Sequence, residues 1–261
     1  MAGLFDKQAD LYLDARPTYP SEWYSKLAGI TLRRDLAWDV GTGNGQAALS
    51  IAEHYDRVIA TDVSESQLKL AMPNPKVVYH HTPPSMTDDE LVDLIGGENS
   101  VDLITVAQAV HWFDLPRFYA LATRLLRKPS GVIAVWCYSD VVVNQEFDAV
   151  LKRFHTETLP FWKYPNIQYL FDAYKTLPFP FEGVGMGSEG EPMELEMPTT
   201  TAFEGIVRML RSWSAVVAAK DKGFDLLSEN VVRELETAWG GSRLVRNVVY
   251  KAFMLAGRVR V

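Results

Sequence analysis

Short apolar runs alternate with amphipathic stretches from residue 36 to residue 140. LAWDV (36–40) leads into QAALSIAEHY, RVIAT (57–61) into SESQLKLAM, and KVVYHH into SMTDDELVDLI. SVDLITVAQAV precedes LPRFYALATRLLR, and GVIAVWCY closes the series. Apolar runs rich in β-branched residues predict buried strands, and a 3.6-residue period predicts the helices between them. Two helix starts carry capping signatures, Ser64 with Gln67 and Thr87 with Glu90, and Pro116 falls in the first turn of a third. Five strands with helices between them predict a parallel sheet covered on both faces.

The pattern changes after Asp140. VNQEFDAVLKRFHTET predicts a helix, and the next 23 residues, LPFWKYPNIQYLFDAYKTLPFPF, mix aromatics with prolines. EPMELEMPTT reads as a strand, TAFEGIVRMLRSWSAVVAAK and FDLLSENVVRELETAWG as two long helices, and NVVYKAFMLAGRVRV as a final strand. The fold class is therefore α/β. The organisation expected is one domain over 1–261: an N-terminal cap (1–35), a ligand-binding core (36–140), a helical and aromatic lid (141–190) and a C-terminal part that completes the sheet (191–261).

Composition narrows the function classes. The 261 residues carry a formal net charge of −7, which argues against a nucleic-acid backbone as the main partner. The single cysteine, Cys137, excludes a disulfide framework within one chain and fits a reducing compartment, with the cytoplasm as the expected location. It lies in an apolar strand, where core packing is its expected role. No apolar run approaches the roughly 20 residues of a membrane span, and MAGLFDKQADLYLDARP has no secretory apolar region. A monomer or homodimer acting on a small molecule is expected.

The first strand ends in WDVGTGNGQAA, with Asp39, Gly41, Gly43 and Gly45 at alternate positions. Glycines serve where a backbone turns sharply and lies against a ligand. The dinucleotide fingerprint G-x-G-x-x-G/A fits only when started at Gly43, which leaves Asp39 and Gly41 without a part. The alternate spacing uses all four residues, and an acidic strand end suits a cationic ligand better than a pyrophosphate. Asp62 ends the next strand about 20 residues on, where a carboxylate accepts bonds from ribose hydroxyls; otherwise it serves as a helix-start charge. Adjacent His80 and His81 would point to opposite faces of a strand, so no metal site is expected there.

The loop resembles motif I of the Rossmann-like S-adenosylmethionine methyltransferases. Together with YLDARPTYP and VDLITVAQAVHWFD, the chain is similar over its first half to the trans-aconitate methyltransferase-like group, which includes proteins called embryo-abundant. The resemblance implies a seven-stranded sheet with an antiparallel last strand. It implies S-adenosylmethionine as cofactor, S-adenosylhomocysteine as product, and a small acceptor, with a carboxylate oxygen giving a methyl ester foremost and an amine or hydroxyl as the alternative. The cofactor residues it implies are Tyr12, Arg16 and Tyr19 in the N-terminal segment and Asp39, Gly41, Thr42, Gly43, Asn44, Gly45 and Gln46 in the loop. Asp62, Val63, Ser64 and Gln67 follow the second strand, His81 and Thr82 the third, and Ala107, Gln108 and Ala109 the fourth. Arg16 would meet the cofactor carboxylate, and Asp39 would turn its charge toward the ammonium.

His111 beside the fourth strand is the candidate catalytic base or acceptor hydrogen-bond partner, or else a pocket wall together with Trp112. Trp112, Trp136, Tyr138, Trp162 and Trp213 are the acceptor-binding candidates. Arg211, Arg243 and Arg246 are candidates to pair with an acid. A nicotinamide-dependent oxidoreductase and a non-catalytic S-adenosylmethionine-binding protein are the competing classes.

Overall fold

Every predicted strand–helix alternation is realised in the computed structural model, which describes residues 16–260. The elements are α1 (Ser21–Ile30), β1 (Leu36–Val40), α2 (Gln46–Ala52), β2 (Arg57–Asp62), α3 (Glu65–Lys69) and β3 (Val77–His81). Next come α4 (Asp88–Ile95), β4 (Leu103–Ala107), α5 (Leu115–Leu125), β5 (Val132–Val142), α6 (Gln145–Thr158) and α7 (Gln168–Phe171). The chain continues with β6 (Glu182–Gly183), β7 (Met193–Ala202), α8 (Phe203–Arg211), α9 (Ser214–Asp221), α10 (Glu229–Trp239) and β8 (Val245–Arg258).

The strands form one sheet in the order β3-β2-β1-β4-β5-β8-β6, with β7 also paired to β8. β1 to β5 are parallel, and β8 runs antiparallel to β5. The fold is Rossmann-like. Where seven strands were expected, eight are described. The outer side of β8 is shared by two strands, β7 along most of its length and the two-residue β6 at its end. Side chains of β5 alternate between two cores: Ile133, Val135 and Cys137 join Trp38 and Phe118 on one face, while Ala134, Trp136 and Tyr138 join Tyr24 and Trp239 on the other. Burial on both faces is why these strands read as unbroken apolar runs.

The caps follow the sequence. Thr87 and Glu90 form a reciprocal capping box, and the Ser64 hydroxyl accepts from the Gln67 amide. Two expectations fail at their ends. The fourth strand stops at Ala107, because Gln108 takes a left-handed φ of +58° and the chain enters a 3-10 turn at Val110–Trp112. The single long helix expected over 201–220 breaks at Ser212–Trp213. There the Ser212 hydroxyl donates to the Met209 carbonyl at 2.6 Å and Trp213 turns extended.

At the opposite end of the sheet, buried Asp102 gathers three segments. Its Oδ2 accepts from the amides of Asp35 and Leu36, and its Oδ1 accepts from Arg127 Nε at 2.6 Å. Replacing it by alanine strands two amides and a half-buried guanidinium. Asp102→Ala should lower unfolding stability by roughly 3 kcal/mol, read as a fall in the urea midpoint at unchanged slope.

Candidate active site

The strand order reverses between β1 and β4, and in open α/β sheets the crevice beyond the strand ends at such a reversal holds ligands. The glycine loop lies there, and two carboxylates shape it. Asp62 Oδ2 accepts from the Gly43 amide at 2.8 Å, and its Oδ1 accepts from the Ser64 amide at 2.8 Å. Asp39 is 1% exposed; its Oδ2 accepts the Thr42 hydroxyl at 2.5 Å and its Oδ1 the Thr105 hydroxyl at 2.6 Å. Burial pushes the Asp39 carboxyl up to about 6, against the opposing pull of the two hydroxyls. Glycine is required at two points. A Cβ on Gly41, at φ +66°, would stand 2.7 Å from Ala109 Cβ, and one on Gly45, at φ +86°, would overlap the Tyr79 hydroxyl.

The cleft in front of this loop encloses about 600 Å³. Arg16, Tyr19, Gly41, Thr42, Gly43, Asn44, Gln46, Asp62, Val63, Gln67, Thr82, Ala107, Gln108 and Ala109 all line it, as do Trp112 and Tyr138. Four residues assigned to the cofactor do not. Asp39 lies under the loop with its oxygens on Thr42 and Thr105 rather than turned toward a ligand. Gly45 backs onto Tyr79, Ser64 is buried as the α3 cap, and exposed His81 places Nε2 3.2 Å from the Val63 carbonyl. Tyr12 lies outside the described residues.

Sequence reasoning missed the apolar slot formed by Pro83, Pro84, Met86 and Leu91 on one side and Phe113, Phe118 and Leu121 on the other. The signal was present in PPSM after β3 and in the apolar stripe of α5. Across this end, Arg117 Nη2 and Asp88 Oδ1 form an ion pair at 2.8 Å.

The chemistry of the walls tests the ligand. A phosphate at the loop would face the carboxylate of Asp62, with that of Asp39 beneath it. Among the described lining residues the cations are Arg16 and Arg117. Buried Asn44 leaves its Nδ2 without a partner among the described residues, a donor ready for a ligand acceptor. Among the described residues a Cβ on Gly43 would have only Gln67 Oε1 within 4 Å, at 3.8 Å, so the loop backbone is open to close approach. These features fit a nucleoside with an uncharged or cationic extension.

A second cavity of about 430 Å³ shares Arg16, Gln108, Trp112 and Tyr138 with the first. Its far walls are Leu151, His155, Trp162, Phe171 and Trp213, with Asp140, Asp148 and Lys152 also on its lining. His155, Phe171, Trp162 and Trp213 make a closed circuit of rings, with neighbouring centroids 5.1 to 5.9 Å apart. Arg16 Nη1 donates to the Tyr138 hydroxyl at 3.1 Å and Nη2 to the Ser212 carbonyl at 3.0 Å, so the helix break holds the guanidinium on the shared wall. Gln108 keeps its left-handed backbone there by donating to the Tyr138 carbonyl at 2.9 Å.

His111 also lines this cavity, with Nδ1 3.1 Å from the Tyr174 hydroxyl, and burial pushes its imidazole down to about 3. Trp136, expected in the acceptor site, lines neither cavity: it is 1% exposed and packs edge-on against Tyr19 and Tyr24. Arg211, Arg243 and Arg246 line neither cavity as well; Arg246 instead stacks on Trp239, 5.8 Å from its ring centroid.

A family model described as a methyltransferase domain matches residues 38–135. A Dictyostelium discoideum protein designated a methyltransferase is 32% identical over 256 residues, covering 95% of this chain and 91% of its own length. A Saccharomyces cerevisiae protein designated an S-adenosylmethionine-dependent methyltransferase is 28% identical over 136 residues, and this match spans 44% of that protein. A solved structure from Anaeromyxobacter dehalogenans, designated a type II methyltransferase, shares 33% identity at a TM-score of 0.77, covering 93% of this chain and 97% of its own.

The raised carboxyl of Asp39 has a measurable consequence. A carboxyl held above its unfolded value binds a proton more tightly when folded, so its contribution to stability is complete below about pH 4 and is lost through pH 6. The stability of the wild type relative to Asp39→Asn should fall by roughly 2 kcal/mol between pH 4 and 7, measured by urea unfolding at each pH.

Proposed function

Since the chain belongs to the S-adenosylmethionine-dependent methyltransferase family, we propose that its acceptor is the carboxylate of a small aromatic acid, converted to the methyl ester. The observation that carries this reading is the Arg16 guanidinium on the wall common to both cavities, 6.0 Å from the Tyr138 ring centroid. A charge-assisted pair with a carboxylate at that wall would place a nucleophilic oxygen where the two cavities meet. Assigned to the cofactor carboxylate from sequence, Arg16 is better used here on the acceptor.

Bound S-adenosylmethionine brings an electrophilic methyl on a sulfonium and a neutral thioether leaving group. The protein's part is alignment and exclusion of water. The glycine loop, Asn44 and Asp62 would hold the cofactor, with Asp62 accepting from the ribose hydroxyls and the Pro83–Leu91 slot taking the base. Trp112, Tyr138 and Trp213 wall off water around the reacting atoms. His111, held near 3, is a weak proton acceptor. That supports a nucleophile that arrives ionised, as a carboxylate does at neutral pH. Residues 16–35 serve as the described part of the cap, and 141–190 as the lid that supplies Leu151, His155, Trp162 and Phe171.

Asp140 and Asp148 on the acceptor cavity favour one rival, an amine. Incubation with methyl-labelled cofactor and a panel of aromatic acids, phenols and amines separates the two. Alkali-labile label in the acids is expected, and alkali-stable label confined to amines or phenols overturns the ester reading. For the cofactor, Asp62→Ala should weaken calorimetric S-adenosylmethionine binding by about 2–4 kcal/mol; an unchanged dissociation constant defeats the ribose assignment.

A further inference from the structure

A buried hydrogen bond stands behind the wall of the acceptor cavity. His111 is 3% exposed and presents Nδ1 to the Tyr174 hydroxyl at 3.1 Å. Tyr174 is fully buried in a left-handed conformation with φ +61°, and its hydroxyl makes no second hydrogen bond among the described residues. The ring's other nitrogen, Nε2, has no hydrogen-bond partner among the described residues, and the ring forms part of the wall. Nε2 is therefore the nitrogen offered to the acceptor.

The pair can share a hydrogen in one of two ways. In the first, the phenol O–H donates to Nδ1, and Nε2 carries the ring hydrogen. In the second, Nδ1–H donates to the phenol oxygen, and Nε2 presents a lone pair. The second leaves the phenol O–H without an acceptor among the described residues, in a fully buried site. A buried donor left unpaired costs its full desolvation, whereas the first arrangement satisfies both groups. That difference decides the direction.

We propose that Tyr174 fixes His111 as the neutral Nε2–H tautomer, and that this N–H holds an oxygen of the acceptor carboxylate in line with the methyl donor. His111 then contacts the acceptor as a hydrogen-bond donor, and Tyr174 is a positioning residue that acts through it. The role toward the acceptor rests on the carboxylate reading; the tautomer does not.

The test begins with nitrogen-15 histidine-labelled enzyme at pH 7 without acceptor, using two-bond proton–nitrogen correlation spectra. His111→Gln removes one set of signals and so assigns it. The expected wild-type pattern is a protonated Nε2 and a bare Nδ1. Tyr174→Phe should give mixed tautomers and raise the acceptor KM about tenfold, with cofactor affinity unchanged. His111→Gln, whose amide N–H mimics Nε2–H, should keep the KM near wild type, and His111→Ala should lose it. A wild-type ring protonated on Nδ1 overturns the proposal, as does a Tyr174→Phe enzyme with unchanged tautomer and KM. Should amines rather than acids accept the methyl, the spectra still decide the tautomer, and only the carboxylate contact falls.

Discussion

Everything at the cofactor end is hung on two carboxylates at the tips of neighbouring strands. Asp39 is held by a hydroxyl from its own loop and another from β4, and Asp62 is held by two backbone amides. Between them they fix the glycine loop to three strands at once. The arrangement leaves the loop's surroundings rich in negative charge and poor in cations, which selects against phosphate without any steric device. The acidic residue that marks the ligand class therefore acts on the loop, and through the loop on the ligand.

The parts legible in sequence were those fixed by local rules. The capping box of Thr87 and Glu90 needs only four residues, and the five parallel strands announce themselves because both of their faces are buried. What escaped depends on distant partners. Asp39 finds Thr105 66 residues away, Arg16 finds the Ser212 carbonyl 196 residues away, and His111 finds Tyr174 63 residues away. No periodicity reports such meetings. Trp136 shows the converse error: a tryptophan at a strand's carboxyl end reads as ligand-binding, yet the alternation of β5 turns it into the core between Tyr19 and Tyr24.

The two cavities differ in how they are built. The first is made largely from the ends of β1, β2 and β4 and the turns that follow β1 to β4, and its shape comes with the fold. The second draws its far wall from α6, the 159–171 segment and the α8–α9 break, where aromatic rings rather than backbone define the space. Variation of those rings would reshape the second cavity without touching the loop, in keeping with function residing in sites grafted on folds. Arg16, Gln108, Trp112 and Tyr138 stand on the partition and are bound to serve both rooms.

The position of β8 sets an order of assembly. This last strand lies inside the sheet, with β5 on one side and β6 and β7 on the other. During synthesis the flank of β5 stays an unpaired edge until β8 emerges, even though the strands that carry the glycine loop are already complete. Open edges invite pairing with other chains, so the nascent protein is exposed longest at the strand that carries Trp136, Cys137 and Tyr138. Chaperone capture during translation would act on that edge until β8 closes it.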